Sequence, residues 1–515
     1  MSDCGMNEAV PAPGMTEAMS DTKAVASRKP SGITSLPLEL ILEISSYLGQ
    51  KERGRLTQTC RTLNAHLAPE LYQHDAKNDD NHALWFACRM NIVSTLETVL
   101  ARNDSLVNSH FEKNHGIDPR NISDPRGLSP LSVAVRAGSI RATKKLLSLG
   151  ADANIADHAL LSHGLLFYPI HWAVSPPRRD KRKDVPSRMV KILSASGARL
   201  NQVPLGRRRD LLQDGAFHLE EAPIFHALTV PLPCVVAFRR EHGDNHTAYK
   251  DEINKAFEEQ LSLLQTLLRH GADPNLRDRQ GRTPLMSLLL QLARYRPAFP
   301  FDSKFATREE MDEQRHIVCQ NVLPYIDMLV SAGADLSAQA AYDSAQNDDG
   351  AERKTALHLA CGLDERYGAA VVRLLDHGSD ANATSVPYGR TPLYEYCEQP
   401  PRDPQTAAGL GALIARGARL DQRDDAGCTP LHALCLARAA VCDRAKLARM
   451  LVLRWGADPL ARDRAGRTAE GYARENGDTE TAGFLAKMKW RQNAKKNQKA
   501  EEEVARRLSG IGQAG

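Results

Sequence analysis

No apolar run in this 515-residue chain approaches the roughly 18 residues that a membrane-spanning helix needs. Residues 1–32 have neither a basic n-region nor an apolar h-region, so a secretory signal is not expected. Rich in small residues, Pro and Gly, they read as a disordered arm. An excess of one charge is missing too: 67 basic against 63 acidic residues leave a net +4, which exerts no global pull towards nucleic acid or a membrane surface. There is no G-x-S-x-G, no P-loop, no H-E-x-x-H and no pair of carboxylates on an apolar face. Catalysis by the chain itself is therefore not expected, nor are a cofactor, a metal or a small-molecule substrate. A chain of this length exceeds what one compact core sustains, which predicts several modules or a repeat array.

A repeat is present. The phrases LLSLGADAN, ILSASGARLN, LLRHGADPN, MLVSAGADLS, LLDHGSDAN, LIARGARLD and VLRWGADPL place a glycine at Gly150, Gly197, Gly271, Gly333, Gly378, Gly417 and Gly456. A second phrase precedes each copy, as in SPLSVAV from Ser129, YPIHWAV from Tyr168, TALHLAC from Thr355 and TPLHALC from Thr429. The pairing resembles the ankyrin repeat, in which two short helices, the second ended by a left-handed glycine, bury their apolar face only by stacking on neighbours. The resemblance implies an all-α solenoid with hairpin fingers and about eight or nine units. The glycines lie 47, 74, 62, 45, 39 and 39 residues apart, against about 33 in the ideal repeat, so every unit carries an insertion. Most fall between the two helices of a unit, at residues 175–187, 230–255, 292–321 and 399–405. The longer ones either hold elements of their own or are mobile. The array is expected over 126–490, with a worn unit at 76–110 whose TPLH is gone and a charged tail at 491–515.

The repeat also assigns residues that invite other readings. Cys88, Cys361, Cys397 and Cys435 fall in one slot that elsewhere holds Val135, Val174, Leu228 and Leu289, an interior position where Cys acts as a small hydrophobe. The nearest approach to a metal cluster, Cys428, His432, Cys435 and Cys442, lacks a C-x-x-C pair. His171, His358 and His432 hold the His of the T-P-L-H phrase, which implies a structural bond from one unit to the next. Unpaired thiols fit a reducing cytosol or nucleus. The basic runs at 178–183, 207–209 and 487–499 read as solvated loops and tails or as nuclear-import signals, with no nucleic-acid partner expected.

Ahead of the array, residues 36–72 carry two apolar stripes, one at Leu40, Ile41, Ile44, Tyr47 and Leu48, the other at Leu56, Cys60, Leu63, Leu67 and Leu71. Ser35 is a candidate N-cap and Pro37 sits in the first turn. Leu36, Pro37, Glu39, Leu40, Ile44, Tyr47, Leu48, Cys60, Arg61 and Leu63 follow a pattern similar to the F-box, expected over 33–75. That resemblance implies docking onto a Skp-type adaptor and, through it, a cullin–RING ubiquitin ligase, with Leu36, Pro37, Leu40, Ile41, Ile44 and Leu48 facing the adaptor. Arg53 and Gly54 depart from the apolar pair usual there, which weakens the expected affinity. The alternatives are a helical hairpin that only caps the array, and an ankyrin scaffold that recruits no ligase. For an unidentified target protein, the finger arginines Arg279, Arg282, Arg390, Arg464 and Arg467 are the candidate contacts, favouring an acidic or phosphorylated segment.

Overall fold

A computed structural model describes residues 33, 36–49, 52, 56, 59, 63, 67, 81–111, 126–157, 166–174, 184–204, 222–229, 246–278, 280–294, 308–341, 352–363, 368–399, 408–437 and 443–511. They divide into two compact units, 1–83 and 84–515.

In the first unit, α1 (Leu38–Ser46) follows Pro37, whose φ of −53° and ψ of 148° make it the N-cap. The helix thus starts one residue later than a first-turn proline would allow, and Ser35, the expected cap, lies outside the described residues, as do Arg53, Gly54, Cys60 and Arg61. Among the described residues, Ile41, Leu63 and Leu67 are buried in this unit's core, with Ile33, Leu42 and Leu56 packed against them.

The second unit is a succession of helix pairs. They are α2 and α3 (His82–Met90, Val93–Leu100), α4 and α5 (Pro130–Arg136, Ile140–Ser148), α6 and α7 (Pro169–Val174, Val185–Ala195), and α8 and α9 (Pro223–Leu228, His246–Arg269). Next come α10 and α11 (Pro284–Arg294, Arg308–Ser331), α12 and α13 (Ala356–Cys361, Gly368–Asp376), and α14 and α15 (Pro392–Glu398, Ala408–Ala415). The last are α16 and α17 (Pro430–Leu436, Arg444–Arg449) and α18 and α19 (Ala469–Glu475, Thr479–Ile511). Ser or Thr caps and proline in the first turn start several of the first helices: Ser129 accepts from the Ser132 amide, and Thr391 from the Tyr394 amide. One continuous core runs from Leu84 to Leu485.

All seven repeat glycines have φ between +82° and +96°, the left-handed region that a side chain would strain. Each ends its helix with a reverse bond from the following amide, such as Ala151 N to Leu146 O and Ala272 N to Leu267 O, both 3.0 Å. In the first six units the carbonyl belongs to a fully buried leucine four residues before the glycine. The last differs. There the buried leucine is Leu451, five residues before Gly456, and the bond spans from Ala457 N to Leu451 O. The π-helical turn Met450–Arg454 absorbs the extra residue and leaves Leu453 on the surface.

The repeat-end asparagines link successive units. Asn154 donates to Gly197 O (2.9 Å) and accepts from Arg199 N (2.8 Å), and Asn108, Asn201, Asn275 and Asn382 make the same two bonds. Ser337 and Asp421 occupy the equivalent positions where this pair of bonds is missing among the described residues.

Two of the long insertions add helix. The 24-residue helices α9 and α11 extend N-terminally from their repeat segments and pack on each other. Ile253, Phe257, Val318 and Val322 are buried there, Tyr325 donates its hydroxyl to Phe257 O (2.6 Å), and Asn321 Nδ2 donates to Asn254 Oδ1 (2.7 Å). At the other end α19 continues as helix to Ile511, through residues expected as a charged tail, on a Glu, Lys, Arg, Gln and Ala sequence that favours it.

Candidate docking surfaces

Helix α1 is apolar around most of its circumference, and the fold decides which side is used. Ile41 turns inward and is 3% exposed, against Leu63 and Leu67. It therefore belongs to the unit's own core, and its expected place on the adaptor-facing side is corrected. Leu36, Leu40 and Ile44, spaced by four, are 38%, 44% and 38% exposed. Pro37 is also exposed and Leu48 is half-buried. Leu38, outside the apolar stripe, and Tyr47, in the stripe but not among the expected adaptor-facing residues, add exposed apolar surface, and Tyr47 is 82% exposed. Leaving several large apolar side chains in water on one short helix is unfavourable unless a partner covers them.

In the array, the T-P-L-H histidines are structural. His358 Nδ1 accepts from the Thr355 amide (3.3 Å), which leaves the proton on Nε2, and Nε2 reaches Arg390 O (2.9 Å) in the next unit. His171 and His432 repeat the arrangement, with Gln202 O at 3.0 Å and Arg467 O at 3.3 Å. Burial lowers His171 and His358 to about 4 and shifts His432 in the same direction, which favours the neutral rings that these bonds use. Cys88, Cys361, Cys397 and Cys435 are buried, and burial pushes the Cys397 and Cys435 thiols up to about 12, far from a reactive thiolate. Cys442 lies outside the described residues. Among those described, no three His, Cys, Asp or Glu side chains gather as a metal would require, and no helix is long and apolar enough to cross a membrane.

The finger turns are closed by their aspartates. Asp278 Oδ1 accepts from the Gln280 and Arg282 amides (2.9 and 2.8 Å), and Oδ2 binds Arg282 Nε at 2.6 Å. Asp463 is held in the same way by the Arg467 amide and, at 3.3 Å, its guanidinium, while Tyr472 adds a hydroxyl bond. Burial alone would raise the Asp463 carboxyl, but Tyr472 and Arg467 hold it below its ordinary range.

Three candidate target contacts are therefore not free. Arg282 is locked to Asp278; Arg467 is locked to Asp463 and lies over the Tyr472 ring (4.3 Å). Arg390 is held by Glu398 (3.5 Å) and Glu352 (3.8 Å) between the rings of Tyr388 and Tyr394. A residue four after the turn Asp is brought back onto it, which counting charges along the sequence does not reveal. Arg464 is exposed, and Arg279 lies outside the described residues.

An ionic core missed in the sequence joins the units on either side of Arg390. Lys354 Nζ lies 2.8 Å from Glu395 and 3.2 Å from Glu352, whose other oxygen accepts from Ser385 Oγ (2.7 Å). Nothing in the periodicity marks Glu395, which stands on the inner side of a T-P-L-Y-E helix.

Comparison with known proteins agrees with these two units. Residues 33–75 match the F-box-like family, and residues 126–158 and 426–464 match the ankyrin repeat family. No curated protein matches the chain. Among solved structures, the chain is similar to the ankyrin repeat domain of Bcl-3, described as a unique member of the IkappaB protein family. The identity is 18% over 62% of this chain and 98% of that one, at a TM-score of 0.36. The helix pairs between the two ankyrin matches carry the same glycine caps and, at His171 and His358, the same imidazole bonds. The chain thus carries an F-box-like domain at 33–75 followed by ankyrin repeats, modules that are typically non-catalytic.

Proposed function

We propose that this protein is the substrate-receptor subunit of an SCF-type cullin–RING ubiquitin ligase: the F-box-like unit docks a Skp-type adaptor and the ankyrin array holds the target protein. The observation that carries the reading is the exposed strip of Leu36, Leu40 and Ile44 on a helix whose inward residue, Ile41, already completes the unit's core. An apolar face left over after the core is satisfied is what an obligate partner would cover. Ubiquitin transfer belongs to other subunits in this scheme, and the chain supplies position only. Leu36, Pro37, Leu40, Ile44 and Leu48 face the adaptor, joined by Leu38 and Tyr47.

The test is co-purification of tagged full-length protein with adaptor and cullin. Wild type should bring down both in stoichiometric amounts. Leu36→Ala with Ile44→Ala should cut adaptor affinity by on the order of a hundredfold, each anchor contributing about 1.5 to 3 kcal/mol, without loss of helical signal. Absence of adaptor from the wild-type complex would leave an ankyrin scaffold without ligase recruitment.

A further inference from the structure

A cleft between two neighbouring fingers is lined by two arginines, Arg277 and Arg353. One wall is Arg277 with Gln280; the other is Gln339 and the strand β1 (Ala340–Ala341), with Arg353 from its antiparallel partner β2 (Arg353–Lys354). We propose that this cleft receives an anionic side chain of an extended target segment, whose neighbouring apolar residue lies against Val386 and Tyr388. The proposal rests on reading the array as the target-holding part.

Four observations support it. Arg277 spends one terminal nitrogen on Gly281 O (2.8 Å) and Gln339 O (3.2 Å), which fixes the guanidinium while leaving its other nitrogens as donors. A cation held in place before binding loses little side-chain freedom when an anion arrives. Arg353 is anchored through its backbone by pairing with Ala341 and by two bonds with Val386, and its side chain is exposed. Of the acids nearby, Asp278 is bonded by its turn and Arg282, and Glu352 by Lys354 and Ser385; Asp335 accepts from the Ser337 amide and hydroxyl and also feels the Arg277 charge, without a direct bond to it. Finally, the bonded neighbour of Arg353, Val386, is 50% exposed and Tyr388 is 45% exposed, so an apolar ledge adjoins the cationic cleft.

This is a different pair of arginines from those that the finger sequences suggested. Arg282 and Arg467 bond within their own turns, whereas Arg277 bridges its turn and the next finger and Arg353 lines the cleft between them.

The experiment uses full-length protein on arrays of short random peptides with a fixed central phosphoserine, glutamate or serine. Wild type should be retained on the phosphoserine or glutamate arrays and not on serine, with apolar residues enriched beside the fixed position. Retention on phosphoserine alone identifies a phosphorylated segment; equal retention on glutamate identifies an acidic one. Arg353→Glu should weaken the selected peptides on the order of tenfold or more, and the exposed Lys191→Glu on α7 should not. Because Arg277 also braces its finger, Arg353→Glu is the decisive variant. Equal retention on serine, no retention on any array, or unchanged binding by Arg353→Glu overturns the proposal. Adaptor co-purification, measured in parallel, reports separately on the ligase reading.

Discussion

Lys354 Nζ and Glu395 Oε2 lie 2.8 Å apart in the array interior, each residue under a tenth exposed, and they tie the finger of one unit to the first helix of the next. Burial penalises both charges, and the flanking carboxylates of Glu395 and Glu352 keep Lys354 protonated. Such a pair is costly to break and cheap to replace. Lys354→Met should destabilise by about 3 kcal/mol because it strands Glu395, and adding Glu395→Met should restore most of the loss. Urea denaturation of Lys354→Met, Glu395→Met and the double mutant checks this; an additive double mutant would show that the two charges do not interact.

On α1 two adjacent apolar residues should separate folding from docking. Ile41→Ala removes a core side chain and should destabilise the F-box-like unit by about 2 to 4 kcal/mol. Leu40→Ala should leave that unit folded and lower only adaptor affinity. Limited proteolysis of the N-terminal region, read beside adaptor binding, separates the two outcomes.

Stability should fall on mild acidification. His171 and His358 are lowered from 6.5 to about 4, so their contribution is present above 6.5 and is lost as pH falls towards 4. Between pH 6.5 and 5 each loses about 2 kcal/mol by linkage. Asp157 has the opposite sign: burial raises it to about 6 despite bonds from Ser129 and Trp172, so ionising it costs stability as pH rises through 6. Acidification to pH 5 returns about 1 kcal/mol there, which does not offset the histidines. The thermal midpoint should therefore drop from pH 7 to pH 5. His358→Phe, the residue type that stands in this slot at Phe225, should be less stable at pH 7 but show a shallower acid slope. An equal slope would remove His358 from the account.

The interrupted asparagine ladder can be completed. Asn275 accepts from Asp335 N (2.6 Å) and donates to Gly333 O (2.8 Å), so Asn275→Ala should cost about 1 to 3 kcal/mol. Ser337→Asn should supply the missing rung towards Gly378 and stabilise by about 1 kcal/mol. Guanidinium unfolding midpoints of both variants test this, and a destabilised Ser337→Asn would show that the spacing between those two units differs from the others.

The sequence alone determined the units and their order, because each repeats a first helix with an apolar interior face and a left-handed glycine that ends the second helix, and those chemical requirements are written in the residues themselves. It also located the F-box-like segment, whose pattern is local. It did not determine which face of α1 is buried: with Leu38, Leu40, Ile41, Leu42 and Ile44 all apolar, period alone admits more than one answer, and only packing against Leu63 and Leu67 selects Ile41. Nor did it show that Leu451 takes the core position otherwise held four residues before the glycine, since the π turn that permits this is a response to neighbours. The fate of the arginines was likewise a tertiary matter. Whether a guanidinium bonds only within its own turn, as at Arg282, or bridges its turn and the next finger, as at Arg277, depends on where the turn Asp and the facing carbonyls lie in space, and no count of charges along the chain contains that distance.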